Sequence, residues 1–415
     1  MMQSRKQILV AGGGASGLMA AITAARRGAK VTLLEKNKQT GKKLLVTGNG
    51  RCNFTNRNQD MKNYRSGCPA FVEQALREFS MEDAVKFFED LGIPARDRDG
   101  YLYPADGQAS SVASALRLEA ERLKVRIGCN TEILSAEYTG SSFQVKTAGW
   151  QYEGDALILT CGSPAAPGTG ASGDGYRLAE GFGHTVVPPL PALTGLYAAE
   201  KDCAKLAGIR QEAKVVLLID GKECIEETGE VQFTSYGLSG IPVFQVSRYV
   251  SRALEKGRRC EILLNLWEGR GSGQTRRVFE ESREYTGERS GTDTLLGVFP
   301  EKLSGVLLER AGISRKKKRN QWTQEEENRL IRQAEEMRFS VVRCRSFEQA
   351  QVCTGGVPLT ELKGITMESA CMPGLYLAGE LLDVDGACGG YNLQWAWTSG
   401  YLAGSAAAEG TGTLC

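Results

Sequence analysis

The chain has 415 residues, with 51 Lys and Arg against 49 Asp and Glu, so its length suits two or three compact units and its balanced charge supplies no field to gather nucleic acid or an anionic membrane. Apolar residues at 41% and charged residues at 24% exclude a disordered, collagenous or coiled-coil chain. The 50 glycines exceed the usual share of about 7%, which calls for many positive-φ positions or close approaches of the backbone to a ligand.

Residues 8–25 are uncharged and follow Arg5 and Lys6, the outline of a signal peptide or a membrane span. The glycines argue for something else. Gln7 to Ala11 reads as a buried strand, Gly12-Gly13-Gly14-Ala15-Ser16-Gly17 as a phosphate loop, the residues to Arg27 as an apolar helix, and Lys30 to Glu35 as a second strand ending in an acid. Strand, G-x-G-x-x-G, helix and strand-end acid together form a dinucleotide fingerprint. Gly12 permits the turn, Gly14 lets a pyrophosphate approach the backbone, Gly17 lets the helix pack, and Glu35 holds a ribose diol and repels a 2′-phosphate. Residues 41–53, GKKLLVTGNGRCN, are too glycine-rich and polar for a core strand and read as a loop around a ligand.

Phe71 to Leu91 reads as helical, and strands are expected between Val125 and Thr160. A second G-x-G-x-x-G at Gly168–Gly173 follows a loop bearing Pro164 and Pro167 and has no acid-ended strand beyond it, so it is expected to be a loop without a nucleotide domain of its own. His184 is the only histidine, which excludes a multi-histidine metal centre. The 12 cysteines show no C-x-x-C, zinc-knuckle or iron–sulfur spacing; no metal is expected, and free thiols in a reducing cytoplasm fit the pattern. Pro188, Pro189 and Pro191 mark a boundary, after which Lys214 to Ile219 and Val231 to Thr234 suit an inserted sheet or barrel. Leu295 to Ala311 and Gln324 to Arg338 have helical spacing, with Thr323 as N-cap before Glu325, Glu326 and Glu327. The basic run Arg315–Arg319 is offset by those acids and reads as a solvated loop. Finally, Gly374 to Glu380 reads as a short strand ending in Gly-acid, followed by Asp383 and by Gly389-Gly390-Tyr391-Asn392 opening a helix, whose N-terminus would stabilise negative charge on a reduced flavin.

The fingerprint, TGNGRCNFTN at 47–56, TGGV at 354–357 and GELLDVDGACGGYN at 379–392 resemble the BaiN/YhiN-type FAD-binding flavoproteins, also labelled the aminoacetone oxidase family, through nearly the whole chain. The resemblance implies an α/β fold: a discontinuous glutathione-reductase-like FAD-binding Rossmann domain (1–190 and 338–415) with an inserted β-barrel-like domain (191–270) and a small helical domain (271–337). It implies that Gly12, Gly14, Ala15 and Gly17 meet the FAD pyrophosphate, Glu35 the adenosine ribose, and Ile133 the adenine through its backbone, with Lys36 also among the cofactor-binding residues. Lys43, Arg51, Cys52 and Asn53 would lie along the flavin, Asp383 would contact the ribityl or phosphate region, Gly390, Tyr391 and Asn392 would lie at the pyrimidine side of the ring, and Gly379 and Glu380 are also among the cofactor-binding residues. The chain departs from the family pattern F-T-H-x-G-L-S-G-P at Phe233-Thr234-Ser235-Tyr236-Gly237-Leu238-Ser239-Gly240-Ile241-Pro242, where Ser235 replaces the histidine.

A flavin carries its own redox chemistry, so few side chains need react. Cys52 reads either as a thiolate beside Arg51 or as a buried packing residue. Tyr391 reads as a proton donor or as an aromatic wall. Trp395 and Trp397 read as packing. Three activities follow: NADH-linked reduction of a C=C bond beside a carbonyl, as the resemblance implies for 3-oxo-4,6-unsaturated bile-acid intermediates in anaerobic bacteria; oxidation of an amine or aminoketone; or a nonenzymatic RNA-associated role. The first is expected, with a small-molecule substrate, NADH as a transient donor, and no nucleic-acid, membrane or obligate protein partner.

Overall fold

The structure is a computed structural model that describes residues 5–268 and 274–409. It divides into two units, Met1–Pro189 with Val352–Cys415, and Leu190–Gln351.

The first unit holds β1 (Gln7–Ala11), α1 (Ala15–Arg26), β2 (Lys30–Leu34), β3 (Arg126–Gly128), β4 (Ala156–Leu159), β5 (Leu375–Leu377) and α2 (Tyr391–Glu409). Its sheet runs β5-β4-β1-β2-β3, parallel throughout. All four residues of β4 and the last four of β1 are buried, which is why both read as unbroken apolar runs rather than alternating ones. The uncharged stretch at 8–25 is thus a core strand and a core helix, and no helix among the described residues is long and apolar enough to cross a membrane. A Cβ on Gly400 or Gly404 of α2 would stand 2.5 Å from Ser16 O or 2.4 Å from Ala20 O, so these two positions, four apart on one helix face, let α2 press against α1. The helical stretch at 71–91 is two helices, Pro69–Glu78 and Met81–Asp90. Ser80 starts the second with a capping box: its Oγ accepts from Asp83 N at 3.2 Å and the Asp83 carboxylate accepts from Ser80 N at 2.8 Å, a start signal strong enough to interrupt the apolar period.

In the second unit Leu196–Ala198, Gly237–Ser239, Lys222–Thr234, Arg210–Ile219, Cys260–Asn265 and Met337–Cys344 form a closed barrel in that order, antiparallel throughout. Met337–Cys344 pairs with both Cys260–Asn265 and Leu196–Ala198. The strand placed by sequence after a boundary at 338 therefore closes the barrel, and the return to the first unit falls at Val352. The helices Glu301–Ala311 and Gln324–Glu335 share one apolar core with the barrel, Leu303, Leu307 and Ile331 clustering with Ile262 and Phe339. The helical segment is thus part of the barrel unit, and the expected junction at 270/271 lies outside the described residues. Thr323 caps the second helix as expected, accepting from Glu326 N at 3.1 Å. The basic run is solvated at Arg315, Lys316 and Lys318, which are exposed, but not at its end: Arg319 is fully buried, pairs with Glu327 at 2.7 Å and lies 4.2 Å over the Phe279 ring, while Lys317 and Lys318 pair with Glu326 and Glu288. Three of its five charges are paired within the unit.

Candidate cofactor and active site

At the end of β1 the chain turns at Gly12, whose φ of +105° is open to glycine and strained for other residues. Gly12 N donates to Leu34 O at 2.8 Å, and Thr160 Oγ1 donates to Ala11 O and Gly12 O, each at 2.8 Å. A Cβ on Gly17 would lie 1.9 Å from Gly12 O, whereas one on Gly14 would meet no atom within 4 Å. The first contact sets α1 against the loop; the second leaves open space at the N-terminus of α1, where Ala15 begins the helix and the backbone N–H groups and helix dipole favour phosphate. Glu35, at the end of β2, is nearly buried; one oxygen accepts from Gly13 N at 2.8 Å and the other from Asn37 N and Nδ2 at 2.8 and 2.7 Å. Its carboxylate therefore stands at the loop mouth, with lone pairs left for a diol.

Asn37 had no signal in the sequence beyond its place after the strand-end acid. It also donates to Thr169 O at 3.1 Å, and Lys36 Nζ lies 2.8 Å from Asp174. The glycine run 168–173 thus has no nucleotide fold of its own: a one-turn helix at Pro167–Thr169 and the helix Asp174–Gly181 carry it alongside the Glu35–Asn37 end of the first site. Lys36 is engaged by Asp174, and Asn37 is the residue that meets the Glu35 carboxylate. Thr131 N donates to Glu35 O at 2.8 Å, which brings the segment leading to Ile133, first residue of the strand Ile133–Tyr138, beside the same acid.

The other candidates gather on residues 41–56 and 379–392. Leu44–Gly50 is a one-turn helix interrupted at Thr47, Gly48 and Asn49, and Arg51 is exposed. Lys43 Nζ sits 2.6 Å from Glu380, whose other oxygen accepts from Ser163 Oγ at 2.7 Å and Cys353 N at 3.2 Å. Lys43 and Glu380 thus hold the two segments to each other. Asp383 accepts from Gly355 N at 3.0 Å, linking 379–392 to the TGGV segment. Gly379 has φ +75° and a Cβ there would lie 2.3 Å from Ser16 Oγ; its N–H donates to Ser399 Oγ at 2.9 Å and its carbonyl accepts from Trp395 Nε1 at 3.2 Å. Trp397 Nε1 donates to Phe54 O at 2.9 Å, so both tryptophans pack and anchor the loops. Gly390, with φ +96° and its Cβ position 2.6 Å from Thr55 backbone atoms, precedes Tyr391 at the start of α2. Asn392 engages its side chain locally: Oδ1 accepts from Gly386 N at 2.8 Å and Nδ2 donates to Gly386 O at 2.9 Å. Its side chain braces the preceding strand, leaving the backbone N–H groups of the first helical turn to face a ligand.

A dinucleotide fits these residues. Open space over Gly14 meets a helix N-terminus, and Asn53, which the resemblance places along the flavin, buries its Oδ1 with no partner, an acceptor that costs free energy until a donor reaches it. Tyr176 likewise buries an unpartnered hydroxyl; nothing in its sequence surroundings marked it.

Cys52 is fully buried, with φ +55°, and burial pushes its thiol up to about 12. The loss of solvation is only partly offset by a hydrogen bond with Thr47, which favours the packing reading of Cys52 over the thiolate. Cys52→Ala is expected to retain bound flavin and at least a tenth of the turnover, a barrier change of about 1.4 kcal/mol or less, and native Cys52 should resist iodoacetamide at pH 8. Tyr391 is also buried, edge-on to Tyr64 with ring centroids 5.5 Å apart, and burial with Tyr101 and Asp60 nearby raises its phenol to about 12. At neutral pH it carries its proton. His184, Glu361 and Cys371 bring ligand-type atoms within 4.8 Å of one another, but the two His184 ring nitrogens already meet Glu361 at 2.8 Å and Ser369 Oγ at 2.7 Å.

Residues 6–406 match the family model described as HI0933-like protein Rossmann domain. The chain belongs to the HI0933-like family. Within relatives of this kind it is 40% identical over 405 residues, 97% of this chain and 99% of the relative, to a 3-dehydro-bile acid delta(4,6)-reductase of Clostridium scindens. It is 30% identical over 404 residues, 96% of each chain, to a ribosomal RNA dihydrouridine synthase of Escherichia coli. Among solved structures, 3-ketosteroid-Δ4-(5α)-dehydrogenase from Rhodococcus jostii is similar with 13% identity, a TM-score of 0.48 and 98% coverage of both chains.

Proposed function

We propose that this HI0933-like protein is an FAD-dependent oxidoreductase that adds hydrogen across a C=C bond conjugated to a carbonyl, with a 3-oxo-4,6-unsaturated steroid acid as substrate and NADH as a donor that binds and leaves. The observation that carries this reading is the 40% identity, over 97% of the chain, to a bile-acid reductase. The dihydrouridine synthases point the same way chemically, since dihydrouridine is uridine with two hydrogens added across a C=C bond beside a carbonyl. An RNA substrate is less well supported here, because three of the five cations of the basic run at 315–319 are paired with Glu326, Glu288 and Glu327 and the chain's charge is balanced overall.

FAD, when bound, supplies the two-electron carrier between donor and substrate. The chain supplies the rest. The N-terminus of α1 and the space over Gly14 hold the pyrophosphate, and Glu35 accepts from the ribose hydroxyls. The N-terminus of α2 places positive dipole and free N–H groups against negative charge on the ring's pyrimidine side. Saturating the bond takes a hydride at the carbon remote from the carbonyl and a proton at the carbon beside it; the Tyr391 hydroxyl delivers the proton. The dispersed free thiols suit a reducing cytoplasm.

Anaerobic mixing tests the assignment. NADH is expected to bleach the flavin and a 4,6-dien-3-one steroid to restore its colour with loss of a C=C bond, in ping-pong fashion because no second nucleotide fold is present in the described residues. Bleaching by an aminoketone but not by NADH would make the protein an oxidase instead.

A further inference from the structure

The first unit contains a small antiparallel sheet of Thr55–Asn56, Tyr101–Pro104 and Ala95–Arg98, in that order. Tyr101 and Tyr103 project to one side of the middle strand, and Arg98 and Arg96 stand opposite them in the ladder, on the same side. One end of this face reaches the site already described: the position of a Cβ on Gly389 lies 2.8 Å from Tyr101 Cε1 and 3.3 Å from Tyr391 Cε2. The other end reaches the 41–56 segment. A Cβ on Gly48 would lie 3.8 Å from Tyr103 Cε1 and 3.9 Å from Arg51 Cβ, and the Arg98 guanidinium carbon is 5.6 Å from the centre of the Tyr103 ring.

Charge sets this second end apart. Arg51, Arg96 and Arg98 are exposed, and among the described residues no carboxylate lies within ion-pair distance of any of them. The one acid of the Ala95–Arg98 strand, Asp97, points to the other side and is taken by Arg57. Burial raises the Tyr103 phenol, and Arg98 and Arg51 both act against that rise, so these two cations stand near its hydroxyl. That hydroxyl has no hydrogen-bond partner among the described residues. Two guanidinium forks without counter-charge match a carboxylate, which accepts two parallel N–H bonds from one fork. Between them and Tyr391 lies Tyr101, 38% exposed, with no ring or guanidinium over it among the described residues, an open apolar surface for a flat ring system.

We propose that Arg51 and Arg98, with the Tyr103 hydroxyl beside them, bind the carboxylate of a steroid acid whose ring system lies along Tyr101 toward Tyr391, an inference that rests on the substrate class assigned above and names what recognises its charge. Calorimetry on the FAD-loaded protein tests it with a saturated 3-oxo steroid acid and its methyl ester, neither of which has a C=C bond to be reduced. The acid is expected to bind about tenfold tighter than the ester at low ionic strength, with the preference shrinking in high salt. Arg98→Met and, separately, Arg51→Met should each cut that preference to about threefold or less. Arg96→Met removes the same charge from the same face and should leave it near tenfold. Because the readout is a ratio, a variant that holds the flavin or the steroid body less well does not imitate the loss. Equal binding of acid and ester by the wild type, or an equal loss of preference in all three variants, overturns the site. A reduction assay with a tail-less 4,6-dien-3-one keeps the two readings apart: turnover without an acid preference removes only the carboxylate site, and an acid preference without turnover supports the site and removes only the reductase assignment.

Discussion

Gly17→Ala is expected to abolish dinucleotide binding and to destabilise the first unit by about 3 kcal/mol, the upper end for forcing a methyl into a packed site. The added Cβ would stand 1.9 Å from Gly12 O and 2.7 Å from Thr160 Oγ1, and the nearer clash is with backbone that no rotamer change relieves. Either α1 moves off the sheet or Gly12 loses its turn, and Gly12 O and Ala11 O are tied together by Thr160. Gly14→Ala separates folding from binding. Gly14 has φ −77° and ψ −165°, which alanine adopts freely, and its Cβ position is empty. Its melting temperature without cofactor should match the wild type, while FAD affinity falls at least tenfold, about 1.4 kcal/mol, if the methyl occupies the space proposed for the pyrophosphate. Thermal melts and FAD titration of both variants check this; a Gly17→Ala protein that melts and binds as the wild type would refute the close-packed loop.

The parts legible in the sequence are those governed by local rules. Gln7–Ala11, the glycine loop and the acid at Glu35 are recognisable because a buried parallel strand, a left-handed turn and a strand-end carboxylate each restrict residue type. Thr323 announces its helix because the capping box is contained within four residues. The failures share a different cause, pairing over long distance. Nothing around Met337–Cys344 distinguishes a barrel strand from one returning to the parallel sheet, since its partners lie at Cys260–Asn265 and Leu196–Ala198. The Lys43–Glu380 contact spans 337 residues and the Lys36–Asp174 contact 138, so each residue shows its charge in the sequence but not its partner. Arg319 shows the same limit more sharply, a member of a basic run that the fold buries on Glu327 and Phe279. The two uses open to Cys52 also could not be decided locally, because Arg51 beside it argues for a thiolate and only burial raises the thiol to about 12.

Tyr391→Phe is expected to lower turnover by about 10²- to 10⁴-fold, the range for losing a positioned proton donor, with bound FAD and stability little changed. The phenylalanine ring keeps the edge contact with Tyr64, and the hydroxyl that disappears has no hydrogen-bond partner among the described residues, so the substitution leaves no buried group unpaired. The pH dependence gives an independent readout. Burial, with Tyr101 and Asp60 nearby, raises the phenol to about 12, so the donor form is present throughout the neutral range and is lost only as pH rises toward that value. Turnover limited by this proton should therefore be flat from pH 6 to 9 and show a solvent deuterium isotope effect. Bleaching by NADH requires no proton from Tyr391 and should stay within threefold of the wild-type rate. A Tyr391→Phe enzyme that reduces the dienone within threefold of the wild type would make Tyr391 a wall of the site and transfer the donor role to another group.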